Sequence, residues 1–265
     1  MENLNIINNI EKKYKFKIEP NKNIRKEYFY RIKKKYYKII GKENKFINSN
    51  TIFKNLDKHE SNVINILSEI DNMSSIAVGF IINQIAKKLS NNDIYLNIGT
   101  YRGFSLLAGM LNTECKVYGI DNFSHDYHSG DKLLKPEDDS NENFKSKKYF
   151  LSHFNKHKKE NRHKFFEIDF KKFFSNFNEY INFYYYDADH SYENQLENLL
   201  IANQFLKRNS IILVDDYNEE PVKRATLDFI SKNSTKFKIL KEFETANRFI
   251  HPTYANGIIL FEKNC

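Results

Sequence analysis

The chain contains no tryptophan, and only two cysteines, four prolines and eight glycines among 265 residues. Cys115 and Cys265 are far apart and the second is the last residue, so no disulfide framework is expected and a reducing cytoplasm is the default. No run of 18 apolar residues occurs, so no transmembrane helix is predicted. The opening MENLNIINNIEKK lacks the basic-then-apolar order of a signal peptide. No internal repeat is present. The core must come from elsewhere, and 17 Tyr with 23 Phe supply it. This length suits one large domain with an appendage, or two small ones. The abundance of Asn, Lys and Ile fits AT-rich coding, so single Lys and Asn residues carry little weight.

Charge is unevenly spread. Residues 1–50 hold 14 Lys or Arg and 5 Glu, a net of +9, while the rest of the chain nets −1. A basic arm of this kind suits nucleic acid, anionic lipid or phosphorylated sugars, or is a solvated extension. Within it, RKEYFYRIKKKYYKII (25–40) mixes aromatics with bases in the manner of an amphipathic helix. Two further helical patterns follow, 53–70 and 74–90, the second with Ser74 or Ser75 as N-cap. The expected division is a basic helical arm over 1–73 and a second unit over 74–265.

The second unit has a different texture. Short apolar runs alternate with helical patterns, which predicts a parallel sheet with crossover helices. The strands are expected at 94–99, 116–121, 164–169, 182–189 and 210–216, with two more at 237–244 and 255–263. No helical segment separates the last two, so they are free to pair antiparallel. Residues 122–145 are polar and strandless and read as an insertion beside the site, in which His125, Tyr127 and His128 are placed to meet a substrate.

Two features carry chemistry. Four of the glycines lie between 99 and 119, and LNIGTYRGFS places Gly99 at a strand end and Gly103 at a helix start. Glycine there permits a sharp turn and close approach to a ligand. Asp121 closes the next strand, 22 residues after Gly99, at the spacing of an acid that accepts from ribose hydroxyls. The pattern lacks both the dinucleotide fingerprint and the P-loop ending.

Most strands also end in acids: Asp121, Asp169, Asp187 with Asp189, and Asp215 with Asp216. In an open parallel sheet those ends form the ligand crevice. In FYYYDADH (183–190) a strand buried on both faces delivers Asp187 to that rim. If the next strand is its neighbour, Asp215 and Asp216 meet Asp187, and three converging carboxylates call for a divalent cation such as Mg²⁺. His190 beside them is a candidate general base.

YLNIGTYRGFS, VYGIDNFS, FYYYDADHSY and IILVDDY, in this order and at these intervals, resemble the class I S-adenosylmethionine-dependent methyltransferases. The nearest branch is the metal-dependent one containing the macrocin and mycinamicin type of sugar O-methyltransferase. The resemblance covers residues 74–263. It implies a Rossmann-like, seven-stranded, mostly parallel α/β sheet with helices on both faces, a reversed C-terminal hairpin and a helical N-terminal extension. It implies that Gly99 and Gly103 cradle the methionine part of the cofactor, with Asn97, Thr100, Tyr101 and Ser105 beside them. Asp121 with Asn122 would bind the ribose, and Asp169 would lie near the adenine. Asp187, Asp215 and Asp216 would hold Mg²⁺, with His190 and Asp187 at the reacting hydroxyl. The chain departs from the pattern at Asn97, where the family usually carries an acid.

The expected reaction is methyl transfer to a hydroxyl of a sugar or other small diol in the cytoplasm, by a homo-oligomer. Two rivals share the scaffold: a hydroxylase-like reaction, and a non-catalytic nucleoside-binding protein. A nucleic-acid substrate is left open by the basic arm, but no Asn-Pro-Pro-Tyr-like base-methylation motif is present.

Overall fold

The computed structural model describes residues 2–17, 32–33, 35–37, 39–124, 142–245 and 251–265. His125, Tyr127 and His128, and most of the 122–145 insertion, lie outside the described residues, as does much of the 25–40 segment.

The N-terminal part comprises α1 (Glu2–Glu11), β1 (Tyr14–Phe16), α2 (Glu43–Asn48), β2 (Thr51–Phe53) and α3 (Lys58–Glu69). The larger unit follows as α4 (Ile76–Ala86), β3 (Ile94–Ile98), α5 (Phe104–Met110), β4 (Lys116–Ile120), α6 (Glu142–His157) and β5 (His163–Phe166). It continues through α7 (Phe170–Asn176), β6 (Ile181–Tyr186), α8 (Tyr192–Ala202), β7 (Leu206–Val214), α9 (Glu220–Lys232), β8 (Phe237–Phe243) and β9 (Ile258–Lys263).

Seven strands form one sheet in the order β5-β4-β3-β6-β7-β9-β8. The first five pair parallel, and β9 inserts antiparallel between β7 and β8. The reversed hairpin and the mostly parallel sheet expected from the sequence are both present. All seven expected strands form, most of them shortened at the end where the chain turns into its acid. β7 begins earlier than expected, at Leu206 rather than Ser210, because α8 stops at Ala202 and Phe205 N donates back to Ala202 O at 2.9 Å.

Helices cover both faces, which is why β6 can be apolar on both sides. Phe183 and Tyr185 join one core cluster and Tyr184 and Tyr186 the other. Helix α4 is buried along its whole length, and Ser75 caps it by accepting from Val78 N.

The N-terminal elements pack on this core. Ile7 and Ile10 of α1, Tyr14 of β1 and Val63 and Leu67 of α3 belong to the same cluster as α4. Each fully buried aliphatic side chain there contributes ~1.5–3 kcal/mol. Asn3 Nδ2 also donates to Glu262 Oε2 at 2.9 Å, and Glu11 pairs with Lys241 at 2.9 Å. The small β1–β2 sheet was not visible in the sequence. Its strands are three residues each, and their partners, such as Tyr14 and Phe53, are distant in sequence.

Candidate active site

Strand order reverses between β3 and β6, and that switch point is where an open α/β sheet leaves a crevice. The ladder runs one step past the strands there. Gly99 N donates to Ile120 O at 2.9 Å, Asp187 N to Ile98 O at 3.0 Å and Asp215 N to Tyr186 O at 3.1 Å. Gly99, Asp187 and Asp215 are therefore side by side on one rim.

Gly99 has φ +83°, and a Cβ on it would lie 1.7 Å from the Asp187 carbonyl oxygen. No larger residue fits without moving β6. Gly103 has φ +94° and gives its space to the Phe150 ring of α6, 2.6 Å from where a Cβ would be. It lines neither of the two clefts that flank Gly99.

The first cleft has about 750 Å³ of empty space and is walled by Gly99, Tyr101, Ser105, Tyr185, Asp187 and Asp216 among others. Asp187, Asp215 and Asp216 line it, and Glu219 stands just behind His190. His190 lies between them, with Nε2 3.0 Å from Asp216 Oδ2 and 3.9 Å from Asp187 Oδ1, and Nδ1 3.2 Å from Glu219 Oε2. Nε2 is buried yet has no aligned hydrogen-bond partner. Asp216 takes the left-handed φ of +51°, a conformation that Asp tolerates better than most residues.

Asp215 is deeper. Its Oδ2 accepts from the Tyr185 hydroxyl and its Oδ1 from Asp216 N at 2.9 Å. The same hydroxyl is 3.2 Å from Asp187 Oδ2. The three expected metal ligands thus share one rim, but Asp187, Asp216 and His190 form the compact donor set, with ligand atoms within 4.8 Å of one another.

The electrostatics follow from crowding. Burial raises the Asp187 carboxyl above the usual range, His190 partly offsets this, and the Asp216 charge adds to it. Burial, then the charges on Asp187 and Asp216, push Asp215 well up. Burial alone would lower His190, but its acidic neighbours Asp187, Asp216 and Glu219 outweigh it and raise the imidazole pKa. Burial and crowding thus push the carboxyls of Asp187 and Asp215 toward the protonated form, and a cation between them would let them ionise.

The second cleft, about 530 Å³, lies on the other side of Gly99 and is walled by Asp121, Asn122, Asp169, Asp189 and Asn194 among others. Here the acids are bonded to backbone. Asp121 Oδ2 accepts from Thr100 N and Tyr101 N, both at 2.8 Å, and Oδ1 from Phe123 N at 2.7 Å. Asp169 caps α7 through Lys171 N at 2.9 Å, and Asn122 accepts from Ser124 N at 3.1 Å.

Asn97 is wholly buried behind the first cleft. Its Nδ2 donates to Ser105 Oγ at 2.9 Å and to the Tyr95 hydroxyl at 3.3 Å, while Oδ1 has no partner.

Sequence reasoning missed Glu219, Tyr185 and the Asp71–Arg102 pair that also lines the first cleft. Glu219 follows Asp-Asp-Tyr closely and carried a readable signal, an acid downstream of the rim. Tyr185 was hidden inside an apolar run. Asp71 carried none, because only the fold brings the loop before α4 to the glycine turn.

A reversed-hairpin sheet with its glycine turn and acid-lined crevice at the switch point defines a class I methyltransferase fold. The comparisons agree. Residues 96–217 match the family described as a methyltransferase domain. The O-methyltransferase of Bacillus cereus in complex with SAH superposes with a TM-score of 0.52 at 12% identity, over 79% of this chain and 92% of that one. The SAH-bound methyltransferase PaMTH1 of Podospora anserina gives 0.51 at 13% identity, over 79% and 89%. At these identities the likeness shows the fold. No curated protein matches the chain. The domain match thus spans residues 96–217, and the fold around it is that of the SAH-bound methyltransferases.

Proposed function

We propose that the protein transfers a methyl group from S-adenosylmethionine to a hydroxyl of a small diol-bearing acceptor, a sugar being the favoured class, with help from Mg²⁺ or a similar divalent cation. The reading rests on one observation: Asp187, His190 and Asp216 converge beside the Gly99 turn in an acid-lined cleft. Asp187 and Asp216, with Asp215 behind them, would hold a hard divalent cation such as Mg²⁺, which leaves His190 for the proton. When bound, the cation lowers the pKa of an acceptor hydroxyl and the sulfonium supplies an already activated methyl carbon.

The protein's own part is alignment and proton transfer. Glu219 holds Nδ1 of His190, and with the neighbouring carboxylates neutralised by a cation the imidazole would shed the proton they impose on it and present Nε2 to the acceptor hydroxyl. Tyr185 braces Asp215 and Asp187 against each other. Gly99 separates the two clefts and so divides the cofactor between them. The methionine end lies by Thr100, Tyr101 and Ser105, with Asn97 buried behind Ser105 and bonded to its hydroxyl. The nucleoside end lies by Asp121, Asn122 and Asp169. The Asp121 oxygens already accept from the backbone, so a ribose hydroxyl would share a carboxylate that also fixes the turn.

Calorimetry with S-adenosylmethionine, with and without Mg²⁺, followed by a methyl-transfer screen over vicinal diols, tests this. Cofactor binding and metal-stimulated turnover of a diol are expected. Binding without turnover on any acceptor would instead favour a nucleoside-binding protein.

A further inference from the structure

Neither cleft uses the basic segment between β1 and β2. Residues 32–42 read IKKKYYKIIGK, with five lysines and no acid. Ile40 N donates to Tyr36 O at 3.1 Å and Lys42 N to Tyr37 O at 2.8 Å, and the described residues 32–33, 35–37 and 39 are helical. Ile32, Tyr36, Ile39 and Ile40 stand at i, i+4, i+7 and i+8, the spacing of one helix face. They are 49%, 58%, 83% and 41% exposed. The other large exposed apolar side chains among the described residues, Met73, Tyr180, Leu200 and Ile239, are scattered singly. Single exposed apolar groups need no explanation, but a clustered stripe does. Lys33, Lys35 and Lys42, all exposed, flank it.

We propose that this segment is an interfacial anchor that lays its isoleucine stripe into the surface of an anionic lipid bilayer. An apolar stripe bordered by lysines on a short helix has the composition of a helix lying in the membrane plane. No described helix is long and apolar enough to cross a membrane, so the segment lies on the surface. Charge selects the occupant. The +9 of residues 1–50 is attracted to anionic headgroups, while the rest of the chain, at −1, is nearly indifferent to them. A second copy would press one lysine-rich face against another. A nucleic-acid backbone would satisfy the lysines but offers nothing that buries three isoleucines.

The test is flotation of the full-length protein with vesicles of phosphatidylcholine alone or containing about 30% phosphatidylserine. The protein is expected to float at least tenfold more readily with the anionic vesicles. An Ile39→Ser/Ile40→Ser variant is expected to lose about tenfold or more of that binding, and Lys33→Gln/Lys35→Gln to lose its salt-sensitive part. Both variants should keep the wild-type melting midpoint and S-adenosylmethionine affinity, since these side chains are exposed and away from the clefts. No flotation with anionic vesicles overturns the proposal, as does flotation indifferent to the isoleucines. RNA binding that survives the isoleucine changes, without flotation, would reassign the lysines to nucleic acid. An isoleucine-dependent dimer without flotation would reassign the stripe to a second copy.

Discussion

The two clefts beside Gly99 are both lined with acids and use them in opposite ways. In the second, Asp121, Asp169 and Asp189 spend their oxygens on backbone N–H groups of the turns that follow. Each accepts from backbone and so holds a loop in place. In the first, Asp187, Asp215, Asp216 and Glu219 face one another and one histidine. Residue type alone therefore does not mark a site. What distinguishes the first cleft is that its carboxylates outnumber the groups that could neutralise them, and burial keeps water from screening the excess.

The largest break in this contrast is Gly99→Ala, which damages both clefts at once. A methyl group 1.7 Å from the Asp187 carbonyl at a φ of +83° is incompatible with the β3–β6 contact. A loss of more than ~4 kcal/mol of stability is expected, or failure to accumulate folded protein, read by urea unfolding. His190→Ala strikes the first cleft alone. It is expected to cut kcat by ~10²–10⁴ while S-adenosylmethionine affinity changes little, because the imidazole is assigned to the proton and not to the cofactor. Single-turnover methyl transfer and calorimetry separate the two. A variant that loses cofactor affinity and keeps its rate would sink the base assignment.

Asp121→Ala sharpens the comparison from the other side. The carboxylate accepts from three backbone N–H groups, and its loss leaves partly buried donors unpaired. About 2–3 kcal/mol of destabilisation is expected, with weaker cofactor binding. Divalent-cation affinity should be unchanged, since Asp121 does not reach the first cleft. Isothermal titration with Mn²⁺ alongside thermal melts checks both halves.

Much of this was legible in the sequence, and what was not has a physical cause. The parallel strands were readable because each is a short apolar run ending in a polar turn, and the reversed hairpin because nothing helical separates β8 from β9. The rim acids were readable because strand ends share one edge of a parallel sheet. The placing of Asp215 was not. Whether an acid faces the cleft or a neighbour depends on Tyr185, and a tyrosine inside FYYY looks like any core aromatic. Three of those four residues are tyrosines whose hydroxyls meet Asn198, Asp215 and the Asp189 carbonyl, contacts set by tertiary structure alone. The β1–β2 pair was invisible for a similar reason: three-residue strands carry no period, and their stability comes from Tyr14 and Phe53 packing on Phe80.

The finest test of the contrast uses the other buried histidine with a large shift. His163 starts β5, and its Nδ1 accepts from Lys159 N at 3.0 Å while Nε2 is buried without a partner. No acid among the described residues compensates it. Burial, then the nearby charges of Lys159 and Arg162, hold its pKa down at about 4, the reverse of His190 among its carboxylates. In the unfolded chain the same ring titrates near 6.5. Between those values the unfolded state binds the proton and the folded state does not, so this stability is present above pH 6.5 and drains away as pH falls toward 4. The slope for one proton approaches ~1.4 kcal/mol per pH unit. His163→Gln keeps a side-chain acceptor and removes the titration. The gap between wild-type and variant unfolding free energies is therefore expected to shift in the variant's favour by ~1–2 kcal/mol between pH 7 and pH 5. A pH-independent gap would mean that the folded His163 takes up its proton over the same pH range as the unfolded chain. A compensating charge would then exist at β5, and the first cleft would no longer be distinguished by how it treats a buried imidazole.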